Sequence, residues 1–169
     1  FVAEGVYDPC EHVAASLKFV KTVLANLSKE QRFKQALAID HDILGGYFYN
    51  QSRIELYWMA IGLIAGGLGV SPEALTVVVA IHELAHAYSH LGKDIDGSQW
   101  DNSDFEHSDL HIVEGIAQYY TQVICQGMAD RLPGALAAFK KLLEFQSSPY
   151  TEYREWVLPA KSSGEVVRL

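Results

Sequence analysis

The sequence has few basic residues and few cysteines, and it lacks a long apolar run. Thirteen Lys and Arg stand against 21 Asp and Glu, giving a formal net charge of −8, which argues against a nucleic-acid surface built on a basic patch. Cys10 and Cys125 are too few for a disulfide framework or a cysteine-rich zinc site. The longest apolar stretch, residues 56–70, includes four glycines and is too short to span a bilayer. We therefore expect neither a nucleic-acid partner nor a membrane span.

The N-terminal residues lack the basic segment and apolar run that form a signal peptide. Two cysteines are compatible with reduced thiols inside the cell, so the cytoplasm is favoured as the compartment. The chain begins with Phe rather than Met, which leaves a removed leader or an excised domain open. The sequence leaves the oligomeric state open as well.

The length and composition are those of one globular domain. The chain has 169 residues, 49% apolar and 20% charged, and these values are ordinary for a folded domain. No repeat, low-complexity segment or long linker divides it. We expect a single domain over residues 1–158 and a poorly ordered tail over residues 159–169.

Hydrophobic periodicity and capping residues predict helices over residues 8–27, 28–38, 71–91, 108–128, 133–145 and 150–157. The helix over residues 71–91 is apolar on nearly all sides, which is typical of a central buried helix. Residues 46–57 place aromatic and β-branched residues around Asn50-Gln51-Ser52, which predicts a β-hairpin. The Gly, Asp, Ser and Asn of residues 92–107 predict a loop. The expected fold is therefore mainly helical α+β, with a small antiparallel sheet packed on a central helix.

Acidic residues and histidines are concentrated between His82 and Glu114. This window holds eight acids, the single base Lys93 and five of the seven histidines, so it carries −7 of the −8 formal charge. Because carboxylates and imidazoles are common metal ligands, this concentration makes residues 82–114 the first place to expect a metal site.

The predicted central helix contains His82-Glu83-Leu84-Ala85-His86, an H-E-x-x-H motif. Residues four apart on a helix lie one turn apart on the same face, so both imidazoles can bind one metal ion. Glu83 projects beside them, where it can take a proton from a metal-bound water. Catalytic zinc needs three protein ligands and one open position. We choose Glu114, on the next long predicted helix, as the third ligand.

With these residues the sequence resembles the gluzincins, a family of zinc metallopeptidases. In that family two motif histidines and a glutamate on a later helix bind zinc, and an upstream edge strand aligns the peptide. The resemblance covers roughly residues 44–121. It implies a zincin-like fold in which His82, His86 and Glu114 bind one Zn²⁺ and Glu83 is the catalytic general base. It also implies zinc-dependent hydrolysis of a peptide or protein substrate.

The sequence departs from the family in the residues that support the zinc ligands. Many gluzincins carry an acid four residues after the third ligand, where this chain has Gln118. Glutamine can accept a hydrogen bond but brings no charge, so Asp104 and Asp109 are candidates for orienting the histidines. The group that stabilises the oxyanion also stays open, with four candidates: His107, His111, Tyr150 and Tyr153.

Spacing argues against other metal sites of similar composition. A metzincin would need glycine and histidine where the chain has Ser89 and Gly92. A calcium loop from Asp94 would need Glu at its twelfth position, which is Phe105. His90 continues the row of His82 and His86, but we expect it to interact with the helix dipole instead.

Two alternatives to a peptidase stay open. A di-iron helical bundle would pair Glu83-x-x-His86 with Asp104-x-x-His107 and add Glu11 and Glu114, but residues 92–107 lack a helical pattern. A catalytically inactive zinc-binding module of a larger protein would keep the ligands and lose the rest of the machinery. Away from the motif, we expect Cys125 to be an inert core thiol and Gly66-Gly67-Leu68-Gly69 to form a tight turn.

Overall fold

The computed structural model describes residues 43–92, 99–146 and 148–157. The predicted helices over residues 8–27 and 28–38 and the predicted tail over residues 159–169 lie outside these described residues. The single domain over residues 1–158 therefore stays a prediction.

The described residues form a mainly helical fold with one two-stranded antiparallel sheet, which confirms the predicted α+β class. A short 3₁₀ turn joins the two strands. In chain order the strands and α-helices are β1 (Gly45–Phe48), β2 (Arg53–Leu56), α1 (Trp58–Leu68), α2 (Pro72–Leu91), α3 (Asn102–His107), α4 (Leu110–Gly127), α5 (Pro133–Leu143) and α6 (Tyr153–Val157).

The hairpin matches its prediction and lies directly on the central helix. Gly45 is opposite Leu56 and Phe48 is opposite Arg53, and Ser52 closes the turn with a left-handed φ of 46°. A Cβ on Gly45 would lie 2.9 Å from Val79 Cγ1 on α2 and 2.9 Å from the Glu55 carbonyl oxygen. Only glycine lets β1 come this close to α2.

Helix α2 is the centre of the fold. The Ser71 hydroxyl caps it by accepting a hydrogen bond from the Ala74 amide at 3.0 Å, and Pro72 occupies the first turn. The helix contacts the sheet, α1, α4 and α5. Its core face carries the buried side chains of Leu75, Val78, Val79, Ile81 and Ala85.

The prediction that α2 is buried on nearly all sides is wrong for one face. Leu84, Tyr88 and Leu91 are exposed, and their spacing of four and three residues places them in one stripe. The sheet and the helices that contact α2 cover its other faces and leave this stripe exposed.

Two local predictions also need correction. Residues 102–107 form α3 rather than a loop, because Asp101 and Asp104 make a reciprocal capping box that local composition does not reveal. Gly66 and Gly67 are helical, so the predicted tight turn is confined to Gly69, whose φ of 68° ends α1. Elsewhere, the predicted helices end within about three residues of the observed ones, as is usual for helix termini.

Within the part of the chain that the structure describes, no single helix is long and apolar enough to cross a bilayer. Only α1 and α2 together pass that test, and a bend of 120° separates them.

Candidate metal centre

Helices α2 and α4 bring the three predicted ligands together. Asp109 caps α4 by accepting a hydrogen bond from the His111 amide at 2.8 Å, and α4 then packs along α2. A Cβ on Gly115 would overlap the Trp156 indole of α6, so glycine here lets α6 pack beside Glu114.

The donor atoms of the three ligands form a compact triangle. His82 Nε2 lies 3.1 Å from Glu114 Oε2 and 3.1 Å from His86 Nε2, while His86 Nε2 lies 3.6 Å from Glu114 Oε2. Donor atoms that bind zinc tetrahedrally at about 2.0–2.1 Å lie roughly 3.3 Å from one another. The three residues can therefore hold a metal ion.

Hydrogen bonding alone does not satisfy this triangle. If His82 Nε2 carries a proton and donates it to Glu114, it has no lone pair left to accept a bond from His86 Nε2. If it is unprotonated, it cannot donate to the carboxylate. A cation that accepts electron pairs from all three atoms removes this conflict, so the donor set fits a metal better than a hydrogen-bond network.

The charge state of Glu114 suits a cation as well. Burial raises the pKa of its carboxyl group, but hydrogen bonds and charge interactions with His82 and His86 outweigh burial. The net result is a pKa well below the usual range, so the carboxylate is ionised. An ionised carboxylate that is only 8% exposed is costly unless a positive charge compensates it.

The predicted catalytic base, Glu83, lines a cleft together with two of the three ligands, His86 and Glu114. Its side chain is buried, and its Cγ lies 3.3 Å from the position that a Cβ on Gly45 would take. The cleft has a volume of about 490 Å³ and is lined by Glu83, His86 and Glu114 together with residues of β1 and α3. A smaller cavity of about 50 Å³ is lined by Glu83, His82, Gln118, Gln146 and Tyr150.

Of the four candidates for oxyanion stabilisation, the structure places Tyr150 beside a ligand. Its buried ring lies 6.0 Å from the His82 ring, centroid to centroid. The Tyr153 hydroxyl donates to Gln122 Oε1 at 2.6 Å. His111 and His107 are exposed, and they bond to Glu152 and to the Ser103 carbonyl at 2.7 and 2.8 Å.

The residues predicted to orient the histidines have other partners. Asp104 and Asp109 are exposed and cap α3 and α4, so the structure gives both carboxylates a capping role instead. Gln118 is buried, and its Nε2 donates to Gln146 Oε1 at 2.8 Å. The exposure of Asp104 and His107 also disfavours the second carboxylate–histidine pair of a di-iron site, which must face inward.

His90 departs from its predicted role at the helix end. It is buried and shares a hydrogen bond of 2.8 Å between its Nδ1 and the Tyr47 hydroxyl, and the Phe105 ring lies 4.9 Å away. His90 therefore ties β1 to α2 and α3. Sequence reasoning missed this contact because it joins residues 43 positions apart.

Cys125 matches its prediction of an inert thiol. It is fully buried, and burial raises its pKa to about 11. A thiol with that pKa carries almost no thiolate at neutral pH, so it is a poor nucleophile.

Fold and site together define a helical α+β protein with a two-histidine, one-glutamate cluster that can hold a metal ion. Comparison with known proteins gives no match to a family model, a curated protein or a solved structure.

Proposed function

We propose that the protein is a zinc-dependent peptidase with a zincin-like site. One observation carries the proposal: two imidazole nitrogens and one carboxylate oxygen converge, and two of these ligands, His86 and Glu114, line a cleft together with Glu83. Two histidines and a glutamate are a ligand set found at catalytic zinc sites, where the fourth position is open to water or substrate. In this proposal the ligands are His82, His86 and Glu114.

Bound Zn²⁺ would act there as a Lewis acid toward the attacking water and the substrate carbonyl. Glu83 performs the proton transfers. Its carboxylate takes a proton from the attacking water and passes it to the nitrogen of the departing amine. Its place on α2, one residue after His82, fixes it beside the ligands. Its burial limits competition from bulk water.

Strand β1 supports a peptide as the substrate. It pairs with β2 on one side, and its residues Gly46, Tyr47 and Phe48 line the cleft. An extended peptide can add to such a strand through main-chain hydrogen bonds, which fix its direction without depending on its sequence. The resemblance to gluzincins implies the same use of an edge strand.

The test is cleavage of a peptide library by the zinc-loaded full chain, with Glu83→Gln as the variant. We expect the wild type to cut, and we expect Glu83→Gln to lower kcat by about 10²–10⁴-fold without changing zinc content. Glu144→Gln is the matched control, because Glu144 is exposed and pairs only with Lys141 among the described residues.

Two results would contradict the proposal. A zinc-loaded wild type that cuts no peptide in the library would favour the inactive zinc-binding module. A Glu83→Gln variant that cuts as fast as the wild type would remove Glu83 from the role of general base.

A further inference from the structure

The cleft beside the candidate metal centre has a wall made of aromatic rings. The Phe105 ring lies 6.4 Å from the His86 ring, 6.0 Å from the Tyr47 ring and 5.8 Å from the Tyr49 ring, between centroids. These rings therefore form a continuous surface that runs from a metal ligand outward to the turn of the hairpin.

Two hydrogen bonds hold this aromatic wall in place. The Tyr47 hydroxyl and His90 Nδ1 lie 2.8 Å apart, which ties the ring of Tyr47 to α2. At the outer end, Asn102 Nδ2 of α3 donates to Asn50 Oδ1 at 3.1 Å. Because both sides of the wall are fastened, its rings are placed before a substrate arrives, which lowers the entropy lost on binding.

The charged residues of the cleft are all acidic. Among the described residues that line it, Glu83, Glu106 and Glu114 are charged and none is Lys or Arg. A divalent ion would offset the charges of Glu83 and Glu114. Glu106 is exposed and makes no hydrogen bond or ion pair with the described residues, so no cation of the described residues compensates its charge.

The hairpin already holds one cation against an aromatic ring. The Arg53 guanidinium lies 4.8 Å from the centre of the Phe48 ring and 2.7 Å from Glu55 Oε1. A ring on one side and a carboxylate on the other together stabilise a cationic side chain. An aromatic ring and a carboxylate, those of Phe105 and Glu106 on α3, also line the cleft.

We propose that the cleft selects peptides with a basic side chain, Lys or Arg, next to the scissile bond. The basic side chain lies along the aromatic wall, and its charged end reaches Glu106. This inference rests on the proposed peptidase function, because it places the basic side chain next to a bond that the protein cleaves. The binding preference, however, comes from the wall and from Glu106 rather than from the metal ligands.

The test uses one peptide that the zinc-loaded wild type cleaves, remade with Lys, Arg, norleucine or Glu at each position flanking the cut. At one flanking position we expect kcat/KM for Lys and Arg to exceed that for norleucine by about five- to twentyfold, because an exposed cation–π contact and an exposed ion pair are each modest. Salt at 0.5 M lowers the ratio through screening. The Glu peptide ranks below norleucine.

Variants of Glu106 and Phe105 show how much each residue contributes to the preference for a basic side chain. Glu106→Gln reduces the Lys-to-norleucine ratio to below about twofold, and Phe105→Leu reduces it by less, because the ring is lost but the carboxylate is kept. Glu144→Gln, outside the cleft, keeps the wild-type ratio. Far-ultraviolet circular dichroism checks that each variant is folded.

A binding measurement separates this inference from the proposed function. Calorimetry gives the Kd of the Lys and norleucine peptides for zinc-loaded Glu83→Gln, and we expect the Lys peptide to bind about five- to twentyfold tighter. Equal rates and equal Kd values for the two peptides would overturn the inference and leave the peptidase proposal intact. If no peptide of the library is cleaved, the Kd ratio is measured on one library peptide made with Lys or with norleucine at its centre; that ratio then decides the binding preference, and only the peptidase proposal fails.

Discussion

The two sides of the cleft are built from very different parts of the chain. One side is the metal-binding floor, which consists of His82, His86 and Glu114. It comes from α2 and α4, helices of 20 and 18 residues that pack along each other, and its donor atoms lie 3.1–3.6 Å apart. The aromatic wall comes from a four-residue strand with the turn that follows it and from a six-residue helix with no fully buried residue. Chemistry that needs fixed distances is thus placed on long packed helices, whereas the surface that meets a substrate is placed on short exposed elements.

Removal of one floor ligand is expected to have the largest effect. Glu114→Gln replaces the only anionic ligand of the three, so we expect zinc affinity to fall by more than about 100-fold and peptide cleavage to be lost. Competition with a chromophoric chelator measures the affinity. Glu106→Gln, which removes a carboxylate from the wall, serves as the control and changes zinc affinity by less than about threefold. Equal losses of zinc affinity in both variants would contradict the assignment of metal binding to the floor alone.

The next largest effect is expected at Tyr150, whose ring lies 6.0 Å from the ring of His82. We expect Tyr150→Phe to lower kcat by about 10–100-fold, because a hydroxyl that stabilises a developing oxyanion contributes at this level. Zinc content and the melting temperature stay close to the wild-type values. Steady-state kinetics on a cleaved peptide measure the change, and Tyr153→Phe is the matched control. A Tyr150→Phe variant with normal kcat would leave the oxyanion donor to another residue.

The contact between β1, which carries part of the aromatic wall, and α2, which carries part of the floor, can be tested at two adjacent glycines, Gly45 and Gly46. Gly45→Ala forces a Cβ to within 2.9 Å of Val79 Cγ1 and of the Glu55 carbonyl oxygen, whereas the nearest atom at Gly46 is 3.6 Å away. We expect Gly45→Ala to lower the free energy of unfolding by about 1–3 kcal/mol and Gly46→Ala to lower it by less than about 1 kcal/mol. Urea unfolding measures both. Equal losses would mean that β1 does not need close contact with α2.

The smallest expected effect concerns Cys125, which lies on α4 but is not one of the metal ligands. Burial raises the pKa of Cys125 to about 11, above the usual thiol value of about 8.5. The folded state keeps the thiol proton, so this contribution to stability is complete below pH 8.5 and is lost as pH rises toward 11. In a Cys10→Ser variant we expect a thiol reagent to leave the native protein unlabelled at pH 8 and to label it in urea. Fast labelling of the native protein would mean that α4 opens at this position.

The floor could be predicted from the sequence because its information is local. His82 and His86 are four residues apart on a helix with clear start and stop signals, and that spacing alone places them on one face. Glu114 required a second step, the choice of the next long helix. The structure confirms that the three residues come together, while the role of Glu83 stays a proposal.

The wall was missed because a loop-like composition outweighed one local signal, a capping box, and because its other contacts join distant parts of the chain. Phe105 and Glu106 lie in a segment whose composition predicted a loop, and the capping box that makes it helical depends on two aspartates three residues apart. The contact between Tyr47 and His90 joins distant parts of the chain. The exposed stripe on α2 was missed for the same reason: apolar composition does not reveal which faces the neighbouring helices cover.

The most direct measurement is zinc content combined with X-ray absorption at the zinc edge, on the wild type, His86→Ala and His107→Ala. We predict one zinc per wild-type chain with nitrogen and oxygen ligands at about 2.0–2.1 Å. We further predict loss of that zinc in His86→Ala and its retention in His107→Ala, whose histidine is exposed and outside the triangle. A wild type without stoichiometric zinc, or a His86→Ala variant that retains it, would contradict the account.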